Sequence, residues 1–447
     1  MEDNPRVLII GASGKVGKEV FKILKNKDND SIYDVFGTYN TNQMEGLEPL
    51  DITNLSDVET FLEKIKPTIL IHTAAITYPP RCEENRELAW KINVEGTKNL
   101  VQYCMKNNCK MIFISSDGVF NGKNGPFDES HETNPLNYYG ETKVESEKIV
   151  SGLNDYLVIR TAWVNDVAPD SRSFAMQVIN SLQNGDVFNA AIDQFGHPTY
   201  SVNLAEIIIE LIKNNSEGIF HVTGSTYIDR FHFAKKIAKA FCLNPDMVHK
   251  TTTSLQQSQT RPMEANLKLD KLKSVIPTNV LSLDDQLDLM RSNYHVTSSI
   301  KDVKIQSLGR YKDQRGSLSV LASKNRTDAP NASKIEEVYI SDIPNSGTIR
   351  AGHKHHRLEE FFVILDGSAK FVLVDDRKES TTYKKRATFF LNGEFRSALF
   401  VPSEIFHVFI TLENNSKCLA IASDAYDAQN PDMIPATKDV FENEFDI

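Results

Sequence analysis

Apolar and polar residues follow one repeating pattern along the first two thirds of the chain. Stretches with apolar residues at helical spacing separate short apolar runs, which stand at 6–11, 33–39, 68–75, 110–116 and 156–163. Continuous apolar strands between helices are typical of a parallel sheet covered on both faces. The pattern therefore predicts a doubly wound α/β domain. We expect a smaller lobe over the substrate to consist of one strand and three helices, at 218–224, 203–214, 229–241 and 283–292.

The pattern changes near residue 299. Beyond it, strand-like runs follow each other closely, at 317–322, 335–341, 358–365, 368–374, 397–401 and 405–411. Turn signals such as Asp375-Asp376 and Asn392-Gly393 separate them. Many short strands joined by such turns are typical of an antiparallel barrel or sandwich. We expect two domains, residues 1–298 and residues 299–447.

Composition excludes several classes of protein. Hydrophobic residues make up 40% of the 447 residues and charged residues 25%, as in ordinary soluble proteins. The net charge of −10 and the absence of a Lys/Arg run argue against a nucleic-acid partner. No apolar run is long enough to span a bilayer. With five irregularly spaced cysteines and a polar, acidic start, we expect a cytoplasmic chain with reduced thiols.

A glycine-rich turn follows the first apolar run. Gly11, Gly14 and Gly17 stand where a strand would pass into a helix. Glycines at this spacing let the backbone approach a pyrophosphate, and the helix N-terminus offers free N–H groups to it. The turn predicts a dinucleotide site. Residues 37–41 contain neither an acid for a ribose 2′-hydroxyl nor an arginine for a 2′-phosphate, so NAD and NADP remain equally open.

A second group of polar residues follows the fourth apolar run. Ser116 ends that strand, and Tyr139 and Lys143 open the next helix. Residues four apart share one helix face, so the ammonium could lower the pKa of the phenol and also bind a nicotinamide ribose. A serine at the carboxyl edge of the sheet could hold a substrate carbonyl. The three residues are candidates for hydride-transfer chemistry.

Seven segments of the first 295 residues together resemble the extended short-chain dehydrogenase/reductases, and in particular dTDP-4-dehydrorhamnose reductase. They are GASGKVG (11–17), HTAA (72–75), ISSDGVF (114–120), NYYGETK (137–143), VIRTAWV (158–164), DQFGHPTY (193–200) and RPMEANL (261–267). The resemblance implies a Rossmann-type fold, an NAD(P) cofactor and reduction of a nucleotide sugar. It also implies that Ser116, Tyr139 and Lys143 are the catalytic set.

The same resemblance assigns the binding residues. The cofactor would be held by Gly11, Ser13, Gly14, Lys15, Val16, Gly17, Asp51, Ile52, Ala74, Ala75, Tyr139 and Lys143. The substrate would be held by Arg160, Trp163, Gln194 and Arg261. An arginine beside a strand end is often only a structural ion pair, so that alternative stays open for Arg160. Gly118 stands where the family usually carries an aromatic residue, a change that could alter the shape of the substrate.

The last third carries a set of possible metal ligands. His353 and His355 lie two residues apart and would face the same side of a strand. Glu360 would need the intervening turn to reach that face, and His407 would complete a site of three histidines and one glutamate. Such a set suits a divalent metal such as zinc with room for substrate. A bare His-x-His pair could equally be a pair of satisfied core histidines.

Residues 303–427 resemble a cupin through the pattern H-x-H-x4-E-x6-G followed by P-x4-H. Segments at 313–318, 338–339, 349–353 and 422–427 further resemble sugar 3,4-ketoisomerases. This implies catalytic roles for His353 and Tyr339 and substrate contacts for Arg315 and Arg350. Those isomerases often carry Gln at the position of Glu360 and need no metal. The Glu360 version resembles the metal-binding epimerase cupin of bifunctional capsular polysaccharide enzymes.

Together these features predict a bifunctional enzyme of nucleotide-deoxysugar biosynthesis. The cupin would epimerise or isomerise a 4-keto-6-deoxyhexose nucleotide by proton abstraction next to the ketone, and the reductase would deliver hydride. We expect a homodimer, since cupins are commonly dimeric. One alternative is a regulatory protein like the regulatory subunit of methionine adenosyltransferase, and another is a reductase fused to a metal-dependent cupin dioxygenase. The nucleotide, the sugar and the order of steps stay open.

Overall fold

A computed structural model describes most of the chain, namely residues 4–26, 33–254, 260–277, 279–294, 298–313, 316–326, 331, 335–425, 427, 429–437 and 440–441. Its internal contacts divide into two units. The first unit comprises Met1–Asp166, Ala190–Phe233 and Lys250–Gln286. The second unit comprises Val167–Asn189, Ala234–His249 and Leu287–Ile447. In the described part of the chain, no helix has both the length and the apolar character needed to cross a membrane.

The first unit is built on a seven-stranded parallel sheet. The strands of this part of the chain are β1 (Arg6–Ile10), β2 (Asp34–Tyr39), β3 (Glu48–Pro49), β4 (Ile69–His72), β5 (Lys110–Ser116), β6 (Tyr156–Thr161), β7 (Val164–Asn165), β8 (Phe188–Ala191), β9 (Phe195–Gly196), β10 (Thr199–Tyr200), β11 (Gly218–His221), β12 (Ile228–Asp229) and β13 (Val248–Thr251). The sheet runs in the order β11-β6-β5-β4-β1-β2-β3. The predicted doubly wound parallel sheet is confirmed.

Helices cover the sheet on both faces. The helices before residue 299 are α1 (Lys15–Lys25), α2 (Leu55–Ile65), α3 (Pro79–Glu84), α4 (Arg86–Trp90), α5 (Gly96–Asn107), α6 (Tyr138–Val150), α7 (Phe174–Gln183), α8 (Ser201–Lys213), α9 (Arg230–Ala240), α10 (Asp270–Val275) and α11 (Leu283–Asn293). Of these, α7 and most of α9 and α11 belong to the second unit. Val7 and Ile9 of β1 pack in one apolar cluster, whereas Leu8 and Ile10 pack in another. Since successive strand residues point to opposite faces, this split explains why β1 is apolar from Val7 to Ile10.

The predicted substrate lobe was partly wrong. Strand β11 pairs with β6 and is the edge strand of the main sheet. Helix α8 contributes Leu204 and Ile208 to the same cluster as Val7, so it covers the sheet rather than a separate lobe. The periodicity of these segments was recognised correctly, but it does not identify the surface against which an apolar face packs.

The second unit contains two antiparallel five-stranded sheets and a hairpin. Its strands are β14 (Lys304–Ser307), β15 (Arg310–Asp313), β16 (Gly316–Ser319), β17 (Glu337–Ile343), β18 (Ile349–Lys354), β19 (Glu360–Asp366), β20 (Ser368–Asp375), β21 (Arg386–Asn392), β22 (Ser397–Val401), β23 (Ile405–Thr411), β24 (Ser416–Ala422) and β25 (Ile434–Pro435). The sheets run β14-β22-β19-β24-β17 and β21-β20-β23-β18-β25. Phe362, Phe371 and Phe409 belong to their shared core. The predicted antiparallel cupin-like domain is confirmed.

Three segments before residue 299 group with these sheets, namely 167–189, 234–249 and 287–298. Within the second unit, the Phe390 N–H donates to the Cys242 carbonyl at 3.0 Å. The Arg291 guanidinium donates to the Arg396 carbonyl at 2.9 Å. Contacts of this kind join segments before residue 299 to strands after it, and a change in periodicity does not record such contacts. The boundary at 298/299 stays a prediction.

Candidate functional site

The turn between β1 and α1 requires its glycines. Gly11 has a φ of +80°, and a Cβ there would lie 2.9 Å from the Ala74 nitrogen. Gly14 caps α1 and offers no side-chain hydrogen bond to the first helical turn. The amide groups of that turn therefore remain available to an anionic group. This is the geometry that the glycine spacing predicted.

A cavity of about 540 Å³ opens beside this turn. Its walls are the start of α1, the residues that follow β4, and the ends of β5 and β6. Because these are neighbouring parallel strands, the cavity lies at the carboxyl edge of the sheet, where α/β proteins bind their ligands. Among the residues assigned to the cofactor, Gly14, Lys15, Val16 and Ala75 line it.

Of the other cofactor candidates, Tyr139 and Lys143 also line the cavity, whereas the rest lie around the turn or away from the cavity. Ser13 belongs to the turn, and Gly17 lies in α1. The exposed Asp51 carboxylate accepts a hydrogen bond from the Thr53 N–H at 2.9 Å. Ile52 is buried, and a Cβ at Gly96 would press against its side chain. The cofactor roles of Asp51 and Ile52 stay predictions.

Ser116, Tyr139 and Lys143 line the same cavity. Ser116 is the last residue of β5, and Tyr139 lies in the first turn of α6. The Lys143 ammonium donates to the Ile114 carbonyl at 2.8 Å, which holds it at the end of β5. The fold thus brings together the three residues that the sequence singled out.

Burial sets the direction in which the pKa values of Tyr139 and Lys143 are shifted. It raises the pKa of Tyr139 well above its ordinary value, and the nearby Asp117 adds to the effect. Burial also lowers the pKa of Lys143 to about 8. We expected the ammonium to lower the pKa of the phenol, and the opposite direction is found because desolvation of the buried phenol is the largest influence on it. Tyr139 is therefore a neutral phenol, able to donate a proton.

The assigned substrate residues divide into two groups. Trp163, Gln194 and Arg261 line the cavity. Arg160 does not line it, because its buried guanidinium donates to the Glu147 carboxylate at 2.7 Å and lies over the Phe120 ring. The structure thus favours the ion-pair alternative for Arg160.

Two cavity residues were not recognised as functional from the sequence. Arg230, the first residue of α9, places its guanidinium carbon 3.4 Å from the centre of the Trp163 ring. Burial lowers the pKa of Arg230 to about 9. Asp117 follows Ser116, and its carboxylate accepts a hydrogen bond from the Ser116 hydroxyl, with 2.9 Å between the two oxygens. Asp117 stood within a recognised motif, whereas an arginine that begins an ordinary helix carries no local signal.

In the second unit, His353, His355, Glu360 and His407 converge. One ligand atom of each lies within 4.8 Å of all the others. The Nε2 atoms of His353 and His355 are 3.1 Å apart. His407 Nε2 lies 3.1 Å from Glu360 Oε2. His353 of β18 and His407 of β23 lie opposite each other. The register of the two strands shifts between Ala351 and His353, where β18 contains a bulge that bends it.

The outer nitrogens of two of these histidines are held by the backbone. Nδ1 of His355 contacts the Asp432 carbonyl, and Nδ1 of His407 lies 3.2 Å from the Ile405 carbonyl. A carbonyl at Nδ1 places the ring proton there and leaves Nε2 with a lone pair. The buried atoms Glu360 Oε2 and His407 Nε2 have no hydrogen-bond partner in the described part of the chain.

Charge is concentrated on Glu360. Burial would raise the pKa of this carboxyl, but the adjacent imidazoles of His355 and His407 outweigh it and hold the pKa well below its usual range. The half-exposed Tyr339 donates its hydroxyl to Glu360 Oε1 at 2.9 Å. Burial, together with the like-charged neighbours His407 and His355, lowers the pKa of His353 to about 4. The cluster is therefore an ionised carboxylate surrounded by imidazoles.

The two arginines assigned to this site are not equally visible. Arg350 lies on β18 with an exposed side chain, opposite Phe409 of β23. Arg315 lies outside the described residues. Both substrate contacts stay predictions.

Comparison with known protein families assigns both parts of the chain. Residues 5–295 match the family described as RmlD substrate binding domain. Residues 301–435 match the family described as WxcM-like, C-terminal. The first match covers well over half of the 447 residues. The predicted resemblances to a reductase and to a nucleotide-sugar cupin are confirmed.

Individual relatives match the first part of the chain. The dTDP-4-dehydrorhamnose reductase of Aggregatibacter actinomycetemcomitans is 29% identical over 282 residues, which cover 60% of this chain and 92% of that protein. Methionine adenosyltransferase 2 subunit beta of Xenopus tropicalis is 28% identical over 279 residues, 60% of this chain and 82% of that protein. The crystal structure of dTDP-4-dehydrorhamnose reductase from Bacillus anthracis str. Ames in complex with NADP is 29% identical, with a TM-score of 0.58, and covers 65% of this chain and 99% of that one.

Proposed function

This chain belongs to the RmlD substrate-binding-domain family, and on that premise we propose that its first unit is an NAD(P)H-dependent sugar-nucleotide reductase. The substrate is a nucleotide-activated 6-deoxyhexose with a keto group. The observation that carries the proposal is the single cavity that joins the glycine turn to Ser116, Tyr139 and Lys143. A cofactor phosphate fits the uncapped first turn of α1.

The residues of the cavity divide the work of reduction. When bound, the nicotinamide supplies the hydride. Tyr139 donates its proton to the carbonyl oxygen of the substrate as negative charge develops there, since burial keeps the phenol neutral. Lys143, anchored to the Ile114 carbonyl, holds a positive charge next to the reacting group. Trp163 and Arg261 line the same cavity and would contact the substrate.

The similarity to methionine adenosyltransferase 2 subunit beta supports a second candidate, a regulatory protein with the same fold. Turnover separates the two. The protein is incubated with dTDP- and UDP-4-keto-6-deoxyglucose, with and without NADPH or NADH, and the products are identified by NMR. Cofactor-dependent loss of the ketone supports the reductase, whereas no reduction of any nucleotide sugar contradicts it and favours the regulatory role.

For the second unit we propose isomerisation or epimerisation of the same class of substrate. The match to the WxcM-like family and the convergence of His353 with Tyr339 and Glu360 support it. A base removes the proton on the carbon next to the ketone, an enediolate forms, and a proton returns to the neighbouring carbon or to the opposite face. In the absence of a metal, the base is His353.

The cluster also fits a divalent metal ion, and we propose that His353, His355, Glu360 and His407 hold it. Support comes from the backbone carbonyls at two Nδ1 atoms and from the partnerless Glu360 Oε2 and His407 Nε2. A metal would supply Lewis-acid stabilisation of the enediolate. Metal binding and base catalysis exclude each other at His353, since one lone pair serves only one of them.

Elemental analysis of protein purified without a histidine tag tests the metal. We expect near-stoichiometric zinc or a similar ion in the native protein and its loss in His355→Ala. The matched control is His356→Ala, because His356 is the next residue but is exposed and contacts Glu404 instead. Metal-free protein with full isomerase activity would contradict the metal and favour His353 as the base. Iron together with substrate-dependent oxygen uptake would favour the dioxygenase alternative.

We also expect a homodimer, and light scattering of the purified protein measures its mass. A monomer at the concentrations used for activity assays would contradict that expectation.

A further inference from the structure

Asp117 lies in the reductase cavity but has no role in the mechanism above. It starts a short 3₁₀ turn, Asp117–Val119, directly after β5. Its carboxylate accepts the Ser116 hydroxyl proton at 2.9 Å, and the Gly118 N–H donates to the Ser116 oxygen at 3.0 Å. The hydroxyl is thus held from both sides by its own chain neighbours.

This arrangement limits what Ser116 can do for a substrate. A hydroxyl has one proton to donate, and here that proton points at Asp117. A substrate carbonyl needs donors, because negative charge develops on its oxygen during reduction. While Asp117 is ionised, the Ser116 proton is therefore already engaged. Of Ser116 and Tyr139, Tyr139 is then the residue that can donate a hydrogen bond to the substrate. A protonated Asp117 could instead donate to the Ser116 oxygen and release the serine proton.

The surroundings hold Asp117 between its two charge states. The buried Arg230 guanidinium faces it and favours the carboxylate, and burial together with Arg261 lowers the pKa of Arg230 itself. Tyr139 faces it from α6, and burial together with the Asp117 charge raises the pKa of Tyr139. Burial dominates and raises the pKa of Asp117 to about 6, close to neutral pH.

We propose that Asp117 is a positioning residue that sets the direction of the Ser116 proton, so that ketone reduction is faster when this carboxyl is protonated. The proposal rests on the proposed reductase function. Only when Asp117 is protonated does Ser116 become a second hydrogen-bond donor to the carbonyl oxygen of the substrate, in addition to Tyr139. Losing one donor to a developing oxyanion costs up to roughly a hundredfold to a thousandfold in rate. With Tyr139 still present, we expect a decrease of about tenfold to a hundredfold between the two states.

Single-turnover hydride transfer, followed by nicotinamide absorbance from pH 5 to pH 7, tests the proposal, because Lys143, with its pKa lowered by burial to about 8, stays mostly protonated in that range. NADH is the cofactor of choice, because it lacks the 2′-phosphate of NADPH, which itself titrates in this range. In the native protein we expect the rate to fall as pH rises, with a midpoint near 6. In Asp117→Asn the fall should vanish, because the carboxamide N–H can donate to Ser116 at every pH.

Two substitutions at Ser116 keep the test informative if Asp117→Asn does not fold. Ser116→Ala should be slower and independent of pH in this range, whereas Ser116→Thr retains a hydroxyl and should retain the midpoint. A midpoint that survives in Asp117→Asn or in Ser116→Ala overturns the proposal, as does a native rate that is flat across the range. A native protein that oxidises no NADH or NADPH at any pH contradicts the reductase function itself, which is a separate outcome.

Discussion

The two candidate sites lie at different places on their sheets, the first at the edge where strands end and the second on the face of paired strands. In the first unit, Ser116, Tyr139 and Lys143 gather at the edge of a parallel sheet, where strands end and a helix begins. In the second unit, His353 and His407 lie within paired antiparallel strands and face each other in register. An edge site depends on turns and helix starts, whereas a site on a sheet face depends on register. The two sites share no residue, so each chemistry can be removed alone.

Electrostatics separates the sites as clearly as topology does. In the reductase cavity, burial favours the uncharged forms of Tyr139 and Lys143. In the histidine cluster, the adjacent imidazoles of His355 and His407 keep Glu360 ionised despite its burial. The first site is suited to donating a proton to a ketone oxygen, and the second to holding a cation or accepting a proton from carbon.

The largest predicted effect separates the two chemistries. Tyr139→Phe removes the proton donor and leaves the ring packing nearly unchanged, so NADPH oxidation should fall by roughly 10²–10⁴-fold. Binding of the cofactor should persist, as measured by fluorescence titration. Unchanged NADPH oxidation in this variant would contradict the assignment of Tyr139.

The same variant has a counterpart in the second unit. In deuterated water without cofactor, the full chain should exchange deuterium into the carbon next to the ketone of a 4-keto-6-deoxyhexose nucleotide. Tyr139→Phe should leave this exchange intact, whereas His353→Ala should abolish it but retain reduction of a pre-isomerised ketone. If the native protein exchanges no deuterium with any of several nucleotide sugars, the second unit has no isomerase activity.

The second prediction concerns stability of the reductase unit. Glu147→Ala leaves the buried Arg160 guanidinium without its carboxylate and removes the acceptor of the Ser115 hydroxyl. Breaking a buried pair in this way costs about 3–5 kcal/mol, which urea unfolding measures. The matched control on the same helix is Glu145→Ala, whose partner Lys148 is exposed, with an expected loss below about 1 kcal/mol. Equal losses in both variants would argue against a structural role for Arg160.

Local signals in the sequence were sufficient for much of both sites. The glycine turn is determined by neighbouring residues, because Gly11 needs a positive φ and a close approach to Ala74. The Tyr139–Lys143 pair follows from helical spacing, and His353 and His355 from strand alternation. Each of these features depends on contacts within one element or between consecutive elements.

Features that depend on distant parts of the chain were missed. Periodicity shows that α8 has an apolar face, but only the fold shows that this face covers the main sheet. The stacking of Arg230 on Trp163 joins residues whose proximity no local pattern records. Arg160 stood in a recognised motif, yet its role is decided by Glu147 on another element. Sequence patterns thus identify chemically important positions better than they identify partners.

The smallest predicted effect concerns the space beside the Ser116 and Tyr139 side chains. Gly118 is buried in the cavity wall, and its φ lies outside the left-handed region. A Cβ there would meet the Ser116 oxygen at 3.4 Å and the Tyr139 ring at 3.6 Å, which are ordinary contacts. Neither backbone conformation nor close packing therefore requires glycine, in contrast to Gly140, where a Cβ would overlap the Gly118 carbonyl. We therefore expect a side chain at position 118 to act through the shape of the cavity rather than through the backbone.

Gly118→Ala should consequently change the reductase little, whereas Gly118→Phe should place a ring where the substrate binds. For Gly118→Phe we expect the KM for the sugar nucleotide to rise about tenfold, the scale of a misfit in an enzyme pocket, with the KM for NADPH unchanged. Deuterium exchange at the second site should stay at the native level in both variants, because no residue of the histidine cluster is altered. Equal KM values for native protein and Gly118→Phe would show that this part of the cavity does not contact the substrate, and recognition of the sugar would then be assigned to other lining residues such as Trp163 and Arg261.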